Sequence, residues 1–272
     1  MTDLITSAAN PTVKRFRLLA DRRHRRRAGA FRVEGLQPVW RAVTAGYPVE
    51  VLIVAPELLT NPAARRLVAD QERAGVPVAR VSRELFQRLS DRDGPAGMAA
   101  ILRGRVGGLD RLPPVAGSVL VALHRIGNPG NLGTILRTAD AVGAAGVVLI
   151  GETADPYAPA AVKASMGSVF SVPVVHTASA GQFLDWARER GLPVIAAAGA
   201  ARPAHWDTAY PEPVAVLFGS EGDGLPPEVV ARCDGSVRIP MDGTAESLNL
   251  AAATAILLYE IKRGRRAGPE DR

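Results

Sequence analysis

Apolar positions in this 272-residue chain fall into short runs separated by amphipathic stretches, and their spacing limits what each run can form. Beyond residue 115, the runs at 119–123, 147–150, 172–175, 194–197, 214–218 and 237–239 are short, nearly continuous and often β-branched. That texture predicts strands buried on both faces, as in a parallel sheet. Helices predicted at 132–142, 159–166, 180–190 and 226–233 separate them. A final helix is predicted over 247–266, with Ser247 as its N-cap and Lys262, Arg263, Arg265 and Arg266 at the end where cations complement the helix dipole. The expected fold class is α/β, an open parallel sheet covered on both sides.

The first part has a different rhythm. Helices predicted at 36–45, 63–74 and 83–89 alternate with strands at 49–54, 76–81 and 98–102, which implies a smaller α/β layer. Between the two parts, Gly104-Arg-Val-Gly-Gly108 and Leu112-Pro-Pro-Val115 crowd Gly and Pro together without periodicity. A linker is therefore expected at 105–115, between domains at 1–104 and 116–272.

Composition narrows the class. With 47% hydrophobic residues the chain can build substantial cores, yet it contains no apolar run of about 18 residues and no secretory leader pattern. A cytoplasmic protein without a membrane span is expected. Cys233 is the single cysteine, and His24, His124, His176 and His205 lack ligand spacing, so neither a disulfide nor a metal is expected.

The net charge of +6 is unevenly spread: residues 1–112 carry twenty Lys/Arg against eleven Asp/Glu, and the remainder thirteen against sixteen. The densest run is Lys14, Arg15, Arg17, Arg22, Arg23, Arg25, Arg26, Arg27 and Arg32, interleaved with Phe16, Leu18, Leu19 and Phe31, and it is expected to share a helix. A solvated helical face would account for such a run without any ligand. The scarcity of neighbouring acids favours a polyanion, because clustered cations gain from phosphate neutralisation and counterion release. Lys14, Arg15, Arg22, Arg23, Arg25, Arg26 and Arg27 are the candidate nucleic-acid contacts.

Parallel sheets place ligands at the carboxyl ends of their strands, and three loops there stand out. Gly127-Asn-Pro-Gly-Asn131-Leu-Gly-Thr-Ile-Leu-Arg137 opens a helix with a Gly/Asn turn that can offer N–H groups to an anion. Phe218-Gly219-Ser-Glu221-Gly-Asp-Gly224 is glycine-rich enough for the backbone to wrap closely around a ligand. Ile239-Pro-Met241-Asp-Gly-Thr-Ala-Glu-Ser247-Leu248-Asn249 leads from a strand into the last helix. Singly, each reads equally well as an ordinary turn or cap. The G-x-x-x-x-G-K-[ST] phosphate loop is absent, none of the three loops carries G-x-G-x-x-G, and Ser220 does not stand in a G-x-S-x-G elbow.

Together and in this order, the three segments resemble the signature motifs of the SpoU (TrmH) RNA ribose methyltransferases: N-x-G-N-x-G-x-x-x-R, L-F-G-S-E-G-x-G and I-P-M-x-G-x-x-x-S-L-N. The likeness spans about 115–264. The opening Ile5-Thr-Ser-x-x-Asn10-Pro-x-Val-Lys14, with Phe31-x-Val-Glu34-Gly35, is similar to that family's substrate-binding domain, which is like ribosomal protein L30e. The resemblance implies a deep trefoil knot in the C-terminal domain, S-adenosylmethionine as cofactor and a homodimer. It also implies roles: Leu217, Gly219, Ile239, Met241 and Leu248 at the cofactor, and Arg137 as the central catalytic residue with Asn131, Glu221, Ser247 and Asn249 around it.

The activity so implied is methylation of a ribose 2′-hydroxyl, with 23S rRNA favoured because N-terminal domains of this kind are similar to those of enzymes acting on it, including antibiotic self-resistance methyltransferases of the avilamycin type. Since a guanidinium stays protonated, Arg137 is expected to hold a phosphate and the developing alkoxide, while Glu221 or water takes the proton. A structural role for Glu221 within its loop is equally open. The rival readings are tRNA ribose methylation, base methylation on the same scaffold and a catalytically silent RNA-binding protein. A nucleotide-dependent oxidoreductase is remote without the glycine fingerprint.

Overall fold

The computed structural model describes residues 4–91, 93–112 and 117–266. It divides into two compact units: Met1–Gly104 together with Tyr157–Phe170, and Arg105–Pro156 together with Ser171–Arg272.

In the first unit, helices α1 (Pro11–Leu18) and α2 (Arg22–Ala28) lead into strand β1 (Ala30–Glu34), followed by α3 (Leu36–Thr44), β2 (Val49–Val54), α4 (Pro62–Arg73), β3 (Val78–Arg80), α5 (Arg83–Leu89) and β4 (Met98–Arg103). The sheet order is β1-β4-β2-β3, antiparallel on both sides of β4 and parallel between β2 and β3. Val13, Phe16 and Leu19 from the first helix and the turn after it pack with Ile53, Leu85, Phe86, Leu89 and Ile101 to form its core. Burying each of these larger side chains contributes about 1.5–3 kcal/mol, more than any single surface charge pair.

The basic run does not form one helix. Asp21 accepts the His24 N–H and starts a new one, and Gly29, at φ 58°, ends it in the left-handed conformation that suits glycine. Phe31 and Val33 then alternate inward with Arg32 and Glu34, giving a strand that the charge run concealed. Arg25 departs from the expectation of an RNA contact. It is buried, and its guanidinium donates to the carbonyls of Leu19 (3.0 Å) and Ala20 (2.6 Å), pinning the turn between α1 and α2. Arg15 is ion-paired with Glu50, whereas Lys14, Arg22, Arg23, Arg26 and Arg27 are exposed.

The second unit holds β5 (Val119–His124), α6 (Pro129–Val142) and β6 (Gly146–Ile150). The chain then leaves it for the first unit through residues 157–170, which include α7 (Pro159–Ala164). Within the first unit, Tyr157 stacks on Phe31 with ring centroids 4.0 Å apart, and Tyr47 donates its hydroxyl to the Val169 carbonyl at 3.2 Å. The apolar pattern predicts a helix at 159–166 within the second alternation. The aromatic residues that bracket it make it part of the first core instead.

Back in the second unit come β7 (Val174–Thr177), α8 (Ala180–Glu189), β8 (Val194–Ala197), β9 (Val214–Phe218), α9 (Pro227–Val230), β10 (Gly235–Val237) and α10 (Leu250–Arg266). All six strands run parallel, in the order β10-β8-β9-β5-β6-β7. Phe183, Leu184 and Ala187 of α8 cover one region of the core with Leu120, Val148 and Leu217. α10 packs along α6, and Lys262 Nζ donates to the Ala141 carbonyl at 3.1 Å. Among the described residues, no helix is long and apolar enough to cross a membrane.

Three Asn-Pro pairs announce helix starts. Asn10, Asn61 and Asn128 each accept backbone N–H groups of the following turn, while Pro11, Pro62 and Pro129 occupy the first helical position, where a missing N–H costs nothing. α10 starts later than expected: Asn249, not Ser247, is its cap, accepting the N–H groups of Ala251 (2.9 Å) and Ala252 (3.4 Å). Within the expected linker, the Gly107 carbonyl accepts the His176 N–H at 2.8 Å beside β7. Its Pro113, Pro114 and Val115 lie outside the described residues.

Candidate active site

The loops after β5, β9 and β10 all belong to the second unit, and the β5 loop is hydrogen-bonded both to the β9 loop and to the helix start of α10. Asn128 receives the N–H groups of Gly130 (2.8 Å) and Asn131 (3.1 Å), which fixes the first turn of α6. From that turn, Asn131 Nδ2 donates to Glu221 Oε1 at 3.0 Å, and the Gly127 N–H donates to Glu221 Oε2 at 3.3 Å. On its other side, Asn131 Oδ1 accepts from Asn249 Nδ2 at 3.0 Å. Asn249 Oδ1 is meanwhile occupied by the α10 cap.

The result is one continuous chain, Glu221–Asn131–Asn249, linking the three loops. Its direction is chemically determined. A carboxylate only accepts, so Asn131 must present its NH₂ to Glu221 and its oxygen to Asn249, and Asn249 must in turn present its NH₂. Burial pushes the Glu221 carboxyl upward, but hydrogen bonds from Asn131 and from backbone N–H groups including those of Gly127 and Asn128 outweigh it and hold the group below the usual carboxylate range. Glu221 is therefore ionised at neutral pH and a weak base.

The glycine loop after β9 is built by close backbone approach. A Cβ at Gly219 would lie 2.0 Å from the Gly224 carbonyl carbon, a distance no side chain tolerates. Ser220 and Gly224 exchange backbone hydrogen bonds of 3.2 and 3.1 Å across the turn, and Gly224 sits at φ 66°. Leu217 is buried in β9 between Ala122 and Ala196, so it has only backbone groups to offer a ligand. Ile239 and Met241 are half-buried, and Leu248 is 37% exposed, giving an apolar fringe beside these polar loops.

Not every expected residue joins the chain. The Arg137 side chain, farther along α6, is exposed and makes no hydrogen bond or ion pair among the described residues; the same holds for the Ser247 hydroxyl. Gly127 and Asn128 are not among the expected site residues, although the Asn-Pro step signals the second as a helix cap. Among the described residues no group of three His, Cys, Asp or Glu could hold a metal ion. The arrangement can grip a ligand through backbone groups, keep a fixed negative charge nearby and leave Arg137 free for an anion.

The SpoU rRNA Methylase family model matches residues 118–259, and the MRM3-like substrate binding domain model matches residues 10–100. The 23S rRNA (uridine(2479)-2′-O)-methyltransferase of Streptomyces viridochromogenes is 35% identical, covering 92% of this chain and 88% of that protein. The 23S rRNA (guanosine(2553)-2′-O)-methyltransferase RlmP of Bacillus subtilis is 30% identical, covering 95% and 98%. The AdoMet-bound rRNA methyltransferase of Sinorhizobium meliloti has a similar structure, with a TM-score of 0.88 and 37% identity over 96% of this chain and 97% of that one. On the strength of its three linked loops and these matches along nearly its whole length, the chain belongs to the SpoU rRNA methylase family.

Proposed function

We propose that the protein methylates a ribose 2′-hydroxyl in 23S rRNA, using S-adenosylmethionine. The observation that carries this reading is the Glu221–Asn131–Asn249 chain, which brings the three motif loops into one locus at the carboxyl edge of a parallel sheet. When bound, the cofactor supplies a methyl group already activated by the sulfonium. The protein's part is to align that group with the hydroxyl and manage one proton.

Backbone groups of the Gly219–Gly224 turn, with Ile239, Met241 and Leu248, suit the cofactor: the turn brings backbone close, and the apolar fringe can cover an adenosine. Arg137 holds a target phosphate and steadies the developing alkoxide with its forked donors. Glu221 fixes Asn131 and the Gly127 turn, and its lowered basicity leaves the proton to water. Asn249 joins α10 to the same network, and Ser247 lines the approach just before it.

The first unit is read as an L30e-like RNA-binding domain, gripping phosphates through Lys14, Arg22, Arg23, Arg26 and Arg27. The second is read as knotted, a reading supported by the return of the chain from edge strand β10 to α6, where Asn249 meets Asn131. A homodimer fits the exposed stripe of Leu248, Ala252, Ile256 and Tyr259, each about one turn from the next along the first half of α10 and the residues before it. A cytoplasmic setting follows from the substrate. The test is transfer of labelled methyl from S-adenosylmethionine to 23S rRNA and, separately, to tRNA; labelling of tRNA alone would overturn the choice of substrate.

A further inference from the structure

Arg125 is the residue immediately after β5, and its backbone is left-handed, at φ 55°. Few side chains accept that conformation, and glycine would adopt it without strain. Only one other described non-glycine residue, Met166, has a positive φ, and it belongs to the other unit. Nothing within the fold uses the Arg125 side chain: it is exposed, and its guanidinium has no hydrogen bond or ion pair among the described residues.

The backbone, by contrast, is firmly held. The Arg125 N–H donates to the Ile150 carbonyl at 3.0 Å, and the Ala154 N–H to the Ile126 carbonyl at 2.7 Å. Two residues on, Gly127 donates to Glu221. A cation in an otherwise glycine-like position, fixed beside the Asn131 locus and unused internally, has the features of a ligand contact. His124 does not supply that charge, because burial first and the Arg125 charge second lower its basicity.

Its direction distinguishes two possible anions. The Arg125 stem lies toward Gly151, at the end of β6, where a Cβ would stand 3.4 Å from Arg125 Cγ. β6 neighbours β5 on the side opposite β9, and the loops assigned to the cofactor follow β9 and β10. The side chain thus leaves the backbone on the side away from the cofactor loops.

We propose that Arg125 binds a backbone phosphate of the RNA substrate beside the target nucleotide, a second phosphate contact in addition to Arg137; this rests on the RNA methylation reading above. The test compares wild type with Arg125→Gly and Arg125→Lys, measuring RNA binding without cofactor over a series of salt concentrations, cofactor affinity by calorimetry, and melting temperature. Arg125→Gly is expected to weaken RNA binding about ten-fold and to lower the magnitude of the salt slope by about one, with no fall in melting temperature because glycine suits the backbone. Arg125→Lys should fall between, keeping the charge without the fork.

Unchanged RNA affinity and salt slope in Arg125→Gly would overturn the proposal. Weakened cofactor binding with RNA binding intact would overturn it too, assigning the cation to the cofactor's carboxylate. Because RNA binding is read without cofactor, a protein that grips RNA through Arg125 yet transfers no methyl would refute the proposed function and support this inference.

Discussion

The basic run of the first unit and the loop cluster of the second reverse what their sequences advertise. Residues 14–32 carry conspicuous charge, yet Arg25 is spent on two carbonyls of its own turn and Arg15 on Glu50. The loops after β5 and β9 and the start of α10 look like ordinary turns, yet three polar side chains from them form a single directed chain. Charge density says how many cations are present and nothing about where they point. Donor and acceptor complementarity does say which groups must meet, once the fold brings them close.

The loop cluster is most vulnerable at Gly219. Replacing it with alanine puts a Cβ into the Gly224 backbone, and turnover is expected to fall on the order of 1000-fold as the loop reopens and reactants lose alignment, with about 1–3 kcal/mol of stability lost; initial rates and thermal melts check this. Next is Arg137→Lys, which keeps a charge and loses the fork. Methyl transfer should drop about 100-fold while calorimetric cofactor affinity holds, and near-normal turnover would refute the clamp. Asn131→Asp sets a second carboxylate against Glu221 and should lower turnover about ten-fold at neutral pH, with the defect easing as acid neutralises the pair.

Two smaller effects sharpen the contrast. Arg25→Ala should cost about 2 kcal/mol in denaturant melts, because two carbonyls lose a charged donor, whereas Arg23→Ala and Arg26→Ala should leave stability unchanged and reduce the salt dependence of RNA binding. For Glu221, the folded carboxyl titrates below its unfolded counterpart. Its contribution to stability is therefore fully present above the usual carboxylate range and is lost as pH falls through the lowered folded value. Comparing the pH dependence of unfolding with that of Glu221→Gln should show this contribution vanish in the variant.

Much of the fold was legible because strand signals are local. The buried runs at 194–197 and 214–218 became β8 and β9 without adjustment, and the helix over 83–89 is α5. What escaped depends on contacts distant in sequence. The strand at Ala30–Glu34 is recognisable by alternate burial, but the surrounding arginines hid its period. The return of residues 157–170 to the first unit hangs on Tyr157 meeting Phe31, which no local pattern encodes. At the site, the three loops could be recognised by motif, while the order of the Glu221–Asn131–Asn249 chain required knowing that Asn249 already spends its oxygen on capping α10. Ser247 was the more familiar capping residue, but it lies two positions before the observed cap.

The central claim is that the linked loops deliver a methyl group to a ribose oxygen. Its most direct test is mass spectrometry of nucleosides digested from 23S rRNA after incubation with the purified protein and isotopically labelled S-adenosylmethionine. The account predicts the label on a ribose, as a 2′-O-methylnucleoside, at a single position. Label found on a base, or absent from the RNA while the protein still binds it, would contradict the account.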